Sequence, residues 1–383
     1  MTAHADRAAV CTAIQHVYVP WVRDAAELFQ QWVAAAPLPG REVSRLGEIA
    51  PGTCVLFVDG LRFDVGQKLR ELLQGRVGGI DVTYHTAALP TVTATAKPAV
   101  SPVARRIAGL TIGEDFRPSV ADTAKDLTPD RFRALLEDEG FQVLSGAEVG
   151  NPQGRAWTEY GNLDQTGHQE GIGLARRIPE LLTDLVAWLE SLLAAGWREV
   201  RVVTDHGWLL VPGGLPKAEL PKYLTVSRWG RCAVVKTAAH VDLPCVAWYW
   251  SDEVRVAYPS GIGCLIAGKE YDHGGLSLQE CVVPQLSVRA RQQEVLSVRI
   301  EQVRWVGLRC RVTIEGQAAG CIVDLRDKVN APDTSLTTPR PVGKDGTVAL
   351  VVEDDAREGT AAVLVLVDQS GTVLDKTPVT VGA

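Results

Sequence analysis

Short apolar runs alternate with longer helical stretches between residues 53 and 204. The segment TCVLFV (53–58) is a continuous apolar run, which is typical of a strand buried on both faces of a sheet. REVRVVT (198–204) has the same character, and IDVTYHT (80–86) predicts a further strand. Helices are predicted over 62–74, 130–139 and 172–195. This alternation predicts an α/β fold with a mostly parallel sheet flanked by helices.

Both ends of the chain depart from this pattern. Residues 1–40 predict a helical N-terminal arm that is interrupted at Pro20, because a proline removes a helix hydrogen bond. After residue 292 the helical pattern stops, and short alternating segments are separated by turn residues. Six such segments predict a small antiparallel β-sandwich. The sequence therefore predicts two domains, 1–291 and 292–383.

Composition restricts the classes of function. A net charge of −7 argues against a broadly basic nucleic-acid-binding surface, although a local basic channel stays open. The chain starts without the apolar core of a signal peptide, and no stretch approaches the roughly 20 apolar residues of a membrane span. The eight cysteines form no CxxC pair and mostly lie in apolar runs, which indicates buried free thiols. These features predict a cytoplasmic protein without a membrane span.

Residues of metal-ligand type follow two of the predicted strands. In open α/β sheets, ligands bind at the carboxyl ends of the strands. Asp59 follows the strand 53–58, and Asp205 and His206 follow the strand 198–204. Carboxylate oxygens and imidazole nitrogens together suit zinc or a similar divalent ion.

A second set of such residues lies between and after these strands. Asp164 and His168 have a D-x₃-H spacing, and His273 lies in EYDHGG, where Asp272 is an alternative ligand. Three carboxylates and three imidazoles suffice for two ions, and a threonine of PTVTATAK, such as Thr93, adds an oxygen to the first. Plainer interpretations stay open here, because an Asp after a strand is commonly a helix cap and the D-x₃-H spacing arises by chance.

Five motifs follow one another along the chain: VDGLRFD, LPTVTATAKP, DQTGH, VVTDHGW and DHGGLSLQECVVP. Their order and their amino-acid sequences resemble the PglZ family of bacterial phage-defence proteins, a branch of the alkaline phosphatase superfamily. The TDHG and HGGLSLQE segments are the most specific to PglZ, and the β-rich tail is similar as well. The resemblance implies an alkaline-phosphatase-like domain with two divalent ions, zinc in first place and manganese or magnesium as alternatives.

The resemblance also implies roles for individual residues. Thr93 would be the nucleophile, with Thr91 as the alternative. Arg62 and Lys97 would neutralise phosphoryl oxygens, although for any single cation a solvated helix residue is the more common case. The implied metal ligands are Asp59, Asp205 and His206 for one ion, and Asp164, His168 and His273 for the other.

The function that follows is the metal-dependent hydrolysis of a phosphodiester or phosphomonoester in a nucleotide or nucleic acid. PglZ proteins belong to BREX-type defence systems that contain a DNA methyltransferase, which is therefore an expected partner. The alternative is a scaffold that binds this methyltransferase and uses its ions structurally. A sulfatase is disfavoured, because the residues after Ser101 and Pro102 miss the C/S-x-P-x-R spacing that those enzymes need.

Overall fold

The structure is a computed structural model that describes residues 3–43, 45–110, 116–291, 298–316, 318–369 and 371–383. The chain divides into two units, Met1–Arg291 and Gln292–Ala383. All six candidate metal ligands belong to the first unit.

A six-stranded mixed sheet forms the centre of the first unit. Its strands, in spatial order, are Gly79–Thr86, Val282–Arg289, Glu199–Val203, Thr53–Val58, Arg155–Tyr160 and Phe141–Val143. Within this sheet, only Val282–Arg289 runs antiparallel to its neighbours, so the other five strands share one direction. The prediction of a mostly parallel α/β sheet is confirmed.

The central strand Thr53–Val58 is buried along its whole length, as its continuous apolar run predicts. Because side chains alternate across a strand, its residues pack into two separate cores. Phe57 joins the core on one face, where it stacks on Trp157 with ring centroids 5.8 Å apart. Leu56 joins the core on the other face, together with the buried side of the helix Leu174–Ala194. Both faces of the sheet are therefore covered, as in other α/β folds.

The helices predicted in the sheet region are confirmed to within two residues at each end. The start of Pro129–Asp138 illustrates why they form. Thr128 Oγ1 accepts a hydrogen bond from the N–H of Arg131 at 3.4 Å, and proline occupies the first helical position. The α-helices are Ala3–Ala35, Phe63–Leu73, Thr93–Ala99, Pro129–Asp138, Asn162–Glu170, Leu174–Ala194 and Leu278–Cys281. Short 3₁₀ helices occur at Ala104–Arg106, Gly171–Gly173, Lys222–Leu224, Pro332–Thr334 and Asp355–Arg357.

The N-terminal helix Ala3–Ala35 continues through Pro20, so the predicted interruption at this residue is wrong. Pro20 lies on the exposed side of the helix. A proline inside a helix costs about 3 kcal/mol. Burial of apolar side chains in the following turns offsets this cost. These side chains are Val22, Ala26, Phe29 and Val33.

A second, antiparallel sheet that the sequence analysis did not predict lies in the first unit. Its strands, in spatial order, are Cys245–Trp248, Ser251–Ala257, Ala233–Val235 and Thr225–Arg228. Two short strand pairs join Ile107–Ala108 to Ser119–Val120 and Leu209–Leu210 to Tyr271–Asp272. The second of these pairs matters for the site, because it places the segment before His273 beside the segment after His206.

The described residues of the second unit form two antiparallel sheets. The first consists of Arg299–Val306, Arg309–Glu315 and Thr347–Val351, and the second of Arg340–Pro341, Ile322–Arg326, Ala361–Val367 and Val373–Thr380. Val312 of the first sheet and Leu364 of the second belong to one hydrophobic core. The predicted all-β sandwich is confirmed, although its first predicted segment, LSVRIEQVRW, begins outside the described residues.

The eight cysteines are free thiols, and six of them are buried, as their positions in apolar runs predict. Burial raises the pKa of Cys54 to about 12, which keeps this thiol protonated. Among the helices of the described residues, none combines the length and the apolar character that crossing a lipid bilayer requires.

Candidate metal centre

Two neighbouring parallel strands end where the first group of candidate ligands begins. Asp59 directly follows Thr53–Val58, and Asp205 and His206 come just after Glu199–Val203. Because parallel strands present their carboxyl ends at the same edge of a sheet, the three side chains meet there.

A glycine allows the chain to turn sharply after Asp59. Gly60 has a φ of +69°, which lies in the left-handed region that favours glycine. Its N–H points at Asp205 Oδ1 across 3.4 Å. A Cβ atom at Gly60 would lie 3.2 Å from the Cβ of Asp164. The glycine therefore lets the loop of the first group approach the helix that carries part of the second.

The first group consists of Asp59, Asp205 and His206, whose ligand atoms all lie within 4.8 Å of one another. His206 Nε2 is 3.5 Å from Asp59 Oδ1 and 3.6 Å from Asp205 Oδ2. Thr93 Oγ1 is 3.2 Å from His206 Nε2 and 3.4 Å from Asp59 Oδ1. The structure thus brings together the four residues that the sequence analysis grouped around one ion.

Asp205 is fully buried, and its Oδ2 has no hydrogen-bond partner among the described residues. Burial, together with the carboxylate of Asp164, raises the pKa of Asp205 to about 7. Burial, together with the carboxylates of Asp205 and Asp164, also raises the pKa of Asp59 well above its usual range. A divalent cation would give the orphaned oxygen a partner and offset the crowded negative charge, so this group fits a metal ion.

The second group combines a helix and a loop. Asp164 and His168 lie one turn apart on the helix Asn162–Glu170, so they face the same side. Asp164 Oδ2 is 3.4 Å from His168 Nε2, and Asp164 Oδ1 is 3.4 Å from His273 Nε2. The Nε2 atoms of His168 and His273 are only 3.1 Å apart. These three residues converge on one point, as the ligands of an ion do.

Backbone carbonyls fix the tautomers of two of the histidines. His206 Nδ1 lies 3.0 Å from the carbonyl oxygen of Gly207, and His273 Nδ1 lies 2.8 Å from that of Thr91. Since a carbonyl can only accept, each Nδ1 carries the proton and each Nε2 presents a lone pair to the site. Burial lowers the pKa of both histidines, which keeps the rings neutral. Neutral imidazoles of this orientation fit a metal ion.

The two groups adjoin each other. The rings of His206 and His273 are stacked, with centroids 3.8 Å apart and planes inclined by 10°. The Asp164 carboxylate of the second group raises the pKa of Asp59 and Asp205 in the first. Ions held in the two groups would therefore act on the same small volume.

The two threonines considered as nucleophiles have different surroundings. Thr93 is partly exposed, and its hydroxyl faces the first group. Thr91 is fully buried, and its hydroxyl donates to the carbonyl of Gly275 at 2.9 Å and accepts from the N–H of Gly274 at 3.1 Å. Thr91 therefore holds the loop after His273 in place, both through this hydroxyl and through its own carbonyl.

A cavity of about 580 Å³ opens beside Thr93. Lys97, one turn further along the same helix, also lines this cavity, and its Nζ lies 2.5 Å from Glu159 Oε2. This predicted substrate-binding cation therefore shares a helix and a cavity with Thr93 and is engaged in an ion pair.

The other predicted cation, Arg62, has a different environment. Its guanidinium makes two hydrogen bonds to Asp64, at 2.6 and 2.8 Å. It also lies over the ring of Trp208, 3.8 Å from the centroid. These contacts do not include either ligand group, so Arg62 is held by its own neighbours.

Tyr271 is a site residue that the sequence analysis missed. Its hydroxyl donates a hydrogen bond to Asp164 Oδ1 at 2.7 Å, and the side chain is buried. Its ring packs so closely that a Cβ at Gly167 would lie 2.3 Å away. Asp272, the alternative ligand, accepts from the N–H of His273 and belongs to neither ligand group. The only sequence signal for Tyr271 was its place two residues before His273.

A buried ion pair supports the loop that carries His273. Arg231 Nη2 lies 2.8 Å from Glu280 Oε2, and both side chains are fully buried. The Glu280 carboxylate also accepts from the N–H of Gly275 at 2.8 Å and from the hydroxyl of Ser277 at 2.7 Å. It therefore fixes the backbone that directly follows His273.

No protein-family model matches the chain, and neither does any curated protein. Among solved structures, it is similar to murine ectonucleotide pyrophosphatase/phosphodiesterase 5, with a TM-score of 0.41 and 13% identity over 62% of this chain and 88% of that one. An inactive variant of the murine protein in complex with AMP gives a TM-score of 0.42 and 12% identity over the same shares. The human counterpart gives 0.40 and 10%, over 62% and 87%.

The raised pKa of Asp205 predicts how a substitution changes the stability of the metal-free protein. The carboxyl has a pKa of about 7 when folded and an ordinary value of 3.8, so the folded state holds this proton more tightly than the unfolded state. Its ionisation therefore destabilises the metal-free fold as the pH rises from about 4 to about 7. The unfolding free energy of Asp205→Asn minus that of wild type should therefore rise by roughly 2–4 kcal/mol from pH 4 to pH 8.

Urea unfolding of the chelator-treated proteins at several pH values measures this gain. Asp64→Asn is the matched control, because the Arg62 guanidinium outweighs burial and lowers the pKa of Asp64. For Asp64→Asn, the difference in unfolding free energy from wild type should change with pH in the opposite direction. The change should also be smaller, since Asp64 is largely exposed. If the difference in unfolding free energy between Asp205→Asn and wild type did not change with pH, the proposed raised pKa of the Asp205 carboxyl would be contradicted.

Proposed function

We propose that this chain is a metal-dependent phosphodiesterase or phosphatase that uses Thr93 as its nucleophile. The observation that carries the proposal is the position of the Thr93 hydroxyl. It lies within 3.4 Å of two candidate metal ligands and at the same time lines a cavity of about 580 Å³. A scaffold has no need of a hydroxyl between a metal site and an open cavity.

The surroundings of the two threonines support Thr93 over Thr91. A nucleophile needs an oxygen that is accessible to the substrate and whose proton can be removed. Thr93 meets both conditions, whereas the hydroxyl of Thr91 is buried and engaged by Gly274 and Gly275.

The reaction is a phosphoryl transfer in two steps. Thr93 Oγ1 attacks the phosphorus and the leaving oxygen departs, so that the phosphoryl group is held on Thr93 until water releases it. Lys97, which lines the same cavity one turn along the helix and is paired with Glu159, would offset negative charge on the phosphoryl oxygens. When bound, two divalent ions would lower the pKa of the attacking hydroxyl and offset charge on the phosphoryl oxygens.

The chemistry of the ligands supports zinc. Asp59, Asp205 and His206 would hold one ion, and Asp164, His168 and His273 the other. Mixed carboxylate and imidazole ligands suit zinc well, and manganese or magnesium are the alternatives. These residues all belong to 1–291, so we assign the chemistry to this part and an accessory role to 292–383.

The five sequence motifs support a place in phage defence. Their resemblance to PglZ proteins suggests a cytoplasmic role in a BREX-type system, with the methyltransferase of that system as a partner and a nucleotide or nucleic acid as the substrate. Arg62 is a weaker candidate for substrate binding than Lys97, because Asp64 and the Trp208 ring already engage it.

A scaffold that binds the methyltransferase is the second candidate function. The observation that favours it is a row of large apolar side chains on the exposed side of the N-terminal helix. Val17, Trp21 and Trp32 are 76%, 60% and 59% exposed, which is unusual for side chains of this size.

The proposal predicts two divalent ions per chain, one in each ligand group. Elemental analysis of the purified chain should find them, and removal with a chelator should abolish hydrolysis of bis(p-nitrophenyl) phosphate. Asp205→Ala should lose one ion and lower activity by more than the roughly 10–100-fold typical of outer-sphere changes.

Asp252→Ala, at an exposed position outside both groups, is the matched control and should keep metal and activity. Active wild-type protein without bound metal would refute the proposal. A metal-bound protein that cleaves no phosphoester would leave the scaffold as the better explanation.

A further inference from the structure

Tyr271 lies between the chain segments that carry the ligands of both groups. It begins the short strand Tyr271–Asp272, which pairs antiparallel with Leu209–Leu210. The first of these strands leads directly into His273 of the second group, and the other follows shortly after His206 of the first group. The backbone of Tyr271 is therefore fixed by segments from both sides of the candidate metal centre.

The ring of Tyr271 has little freedom to move. Only 2% of the residue is exposed, and its ring meets that of His168 edge-on, with centroids 5.1 Å apart. The ring of Trp208 lies 5.5 Å away, again measured between centroids. Gly167 leaves the space that the tyrosine ring fills, since a Cβ there would lie 2.3 Å from a ring atom. Close packing of this kind holds a side chain in one rotamer, so the hydroxyl has a fixed direction.

The hydroxyl of Tyr271 meets the carboxylate of Asp164. It donates to Oδ1 at 2.7 Å, and among the described residues no other hydroxyl or backbone N–H donates to either oxygen. The other close neighbours of this carboxylate are the Nε2 atoms of His168 and His273, each 3.4 Å away. The orientation of the carboxylate toward the two imidazoles therefore depends on Tyr271.

The surroundings of Asp164 give this hydrogen bond its importance. The side chain keeps 13% exposure, so the carboxylate can turn toward solvent. The carboxylates of Asp59 and Asp205 carry charge of the same sign and favour such a turn. The Tyr271 hydroxyl opposes it without adding charge to the centre. Hydrogen bonds from outside the ligand set commonly orient metal ligands in this way.

We infer that Tyr271 is a positioning residue for the ion of the second group, and that its hydroxyl holds Asp164 in the orientation that binds this ion. The inference rests on the proposed function for the presence of the ion. The role of Tyr271 involves no contact with the substrate or with the attacking oxygen of Thr93. Loss of the hydroxyl should therefore lower the metal affinity of the second group and leave that of the first group unchanged.

Tyr271→Phe tests this role, because it keeps the ring and removes only the hydroxyl. Its effect on each group is measured in a chain that binds one ion. Asp205→Ala removes a first-group ligand and leaves the second group to bind zinc, and His168→Ala does the reverse. Competition with a chromophoric chelator gives the zinc affinity. In the Asp205→Ala chain, Tyr271→Phe should weaken zinc binding by about 10–100-fold. In the His168→Ala chain, it should leave the zinc affinity unchanged.

Tyr258→Phe is the matched control in both chains. Tyr258 is 4% exposed and belongs to neither group, so the loss of its hydroxyl should not change the zinc affinity. Circular dichroism of each metal-free variant verifies that the fold is retained. A loss of affinity of the same size in both chains would indicate a general loosening of the centre and contradict the positioning role. An unchanged affinity of the second group would refute the inference and leave the proposed function intact.

The zinc dependence of hydrolysis distinguishes a positioning residue from a catalytic one. With all six ligands present, Tyr271→Phe should need about 10–100-fold more zinc for half-maximal hydrolysis of bis(p-nitrophenyl) phosphate. Its rate should approach that of wild type once zinc is in excess. A rate that stays low at saturating zinc would mean that the hydroxyl takes part in the reaction, and the positioning role would be wrong.

The affinity measurement requires no substrate, so it separates the inference from the proposed function. If wild type binds zinc but cleaves no phosphoester, a selective loss of affinity in the Asp205→Ala chain would still support the role of Tyr271. A wild-type chain that binds no zinc would refute the inference and the proposed function together.

Discussion

Thr93→Ala should lower the turnover of a phosphodiester by several orders of magnitude while leaving the metal content unchanged. The substitution removes the hydroxyl and one methyl group and keeps all six carboxylate and imidazole ligands. Loss of a covalent nucleophile is rarely compensated by water, because the remaining groups were arranged around the lost atom. Initial rates on bis(p-nitrophenyl) phosphate and elemental analysis of the same sample measure both parts of the prediction.

Two further variants distinguish a nucleophile from a structural hydroxyl. Thr93→Ser keeps an attacking oxygen and should retain most of the activity lost in Thr93→Ala. Thr91→Ala should instead loosen the loop around His273, because the Thr91 hydroxyl binds Gly274 and Gly275. Excess zinc should therefore restore Thr91→Ala and have no effect on Thr93→Ala. Near-normal rates in Thr93→Ala would rule out covalent catalysis through this residue.

Glu280→Gln should destabilise the protein by about 3–5 kcal/mol, which is the usual cost of leaving one member of a buried ion pair without its partner. Arg231 would keep its charge at a position with no exposure to solvent. The substitution also weakens the acceptor for Gly275 and Ser277, so the His273 loop should lose its fixed shape. Urea unfolding with and without zinc measures the loss, and zinc should stabilise the variant less than it stabilises wild type.

Arg231→Met combined with Glu280→Gln provides the control. If charge burial causes the loss, the double variant should be more stable than Glu280→Gln alone, because no unpaired charge remains. If the double variant were the less stable of the two, packing would explain the loss better than the ion pair.

The sequence predicted the strands and helices that can be recognised from their own residues, without knowledge of distant partners. Thr53–Val58 is buried on both faces, so its apolar run is visible without any knowledge of its neighbours. The strand Arg155–Tyr160 was missed, because RAWTEY begins with an arginine, contains a glutamate near its end and has no β-branched run. Its structure depends on parallel pairing with Thr53–Val58, about a hundred residues away in the chain.

Val282–Arg289 was missed for a different reason. Pro284 argues against an inner strand, because proline lacks the N–H that a sheet requires. The structure accommodates this proline because the two neighbouring strands pair with different lengths of Val282–Arg289. Pro284 pairs with Tyr84 on one side, whereas pairing with Glu199–Val203 on the other side begins only at Leu286.

Those residues of the candidate site that follow a predicted strand could be found from the sequence. Asp59 and Asp205 could be found in this way. The role of Thr91 could not, because its carbonyl contacts the ring of His273, 182 positions further along the chain. The same is true of the Tyr271 hydroxyl, which reaches Asp164 over 107 positions.

The place of Val282–Arg289 in the central sheet has a consequence for the order in which the protein can be built during translation. This strand alone connects Gly79–Thr86 to the other strands of the sheet. Until Val282–Arg289 has left the ribosome, Gly79–Thr86 lacks the strand with which it pairs, and the sheet is incomplete. Contacts between segments so distant in sequence form late. His273 emerges just ahead of Val282–Arg289. A nascent chain therefore acquires its complete set of ligands and its complete sheet almost simultaneously, and shorter translation intermediates have neither.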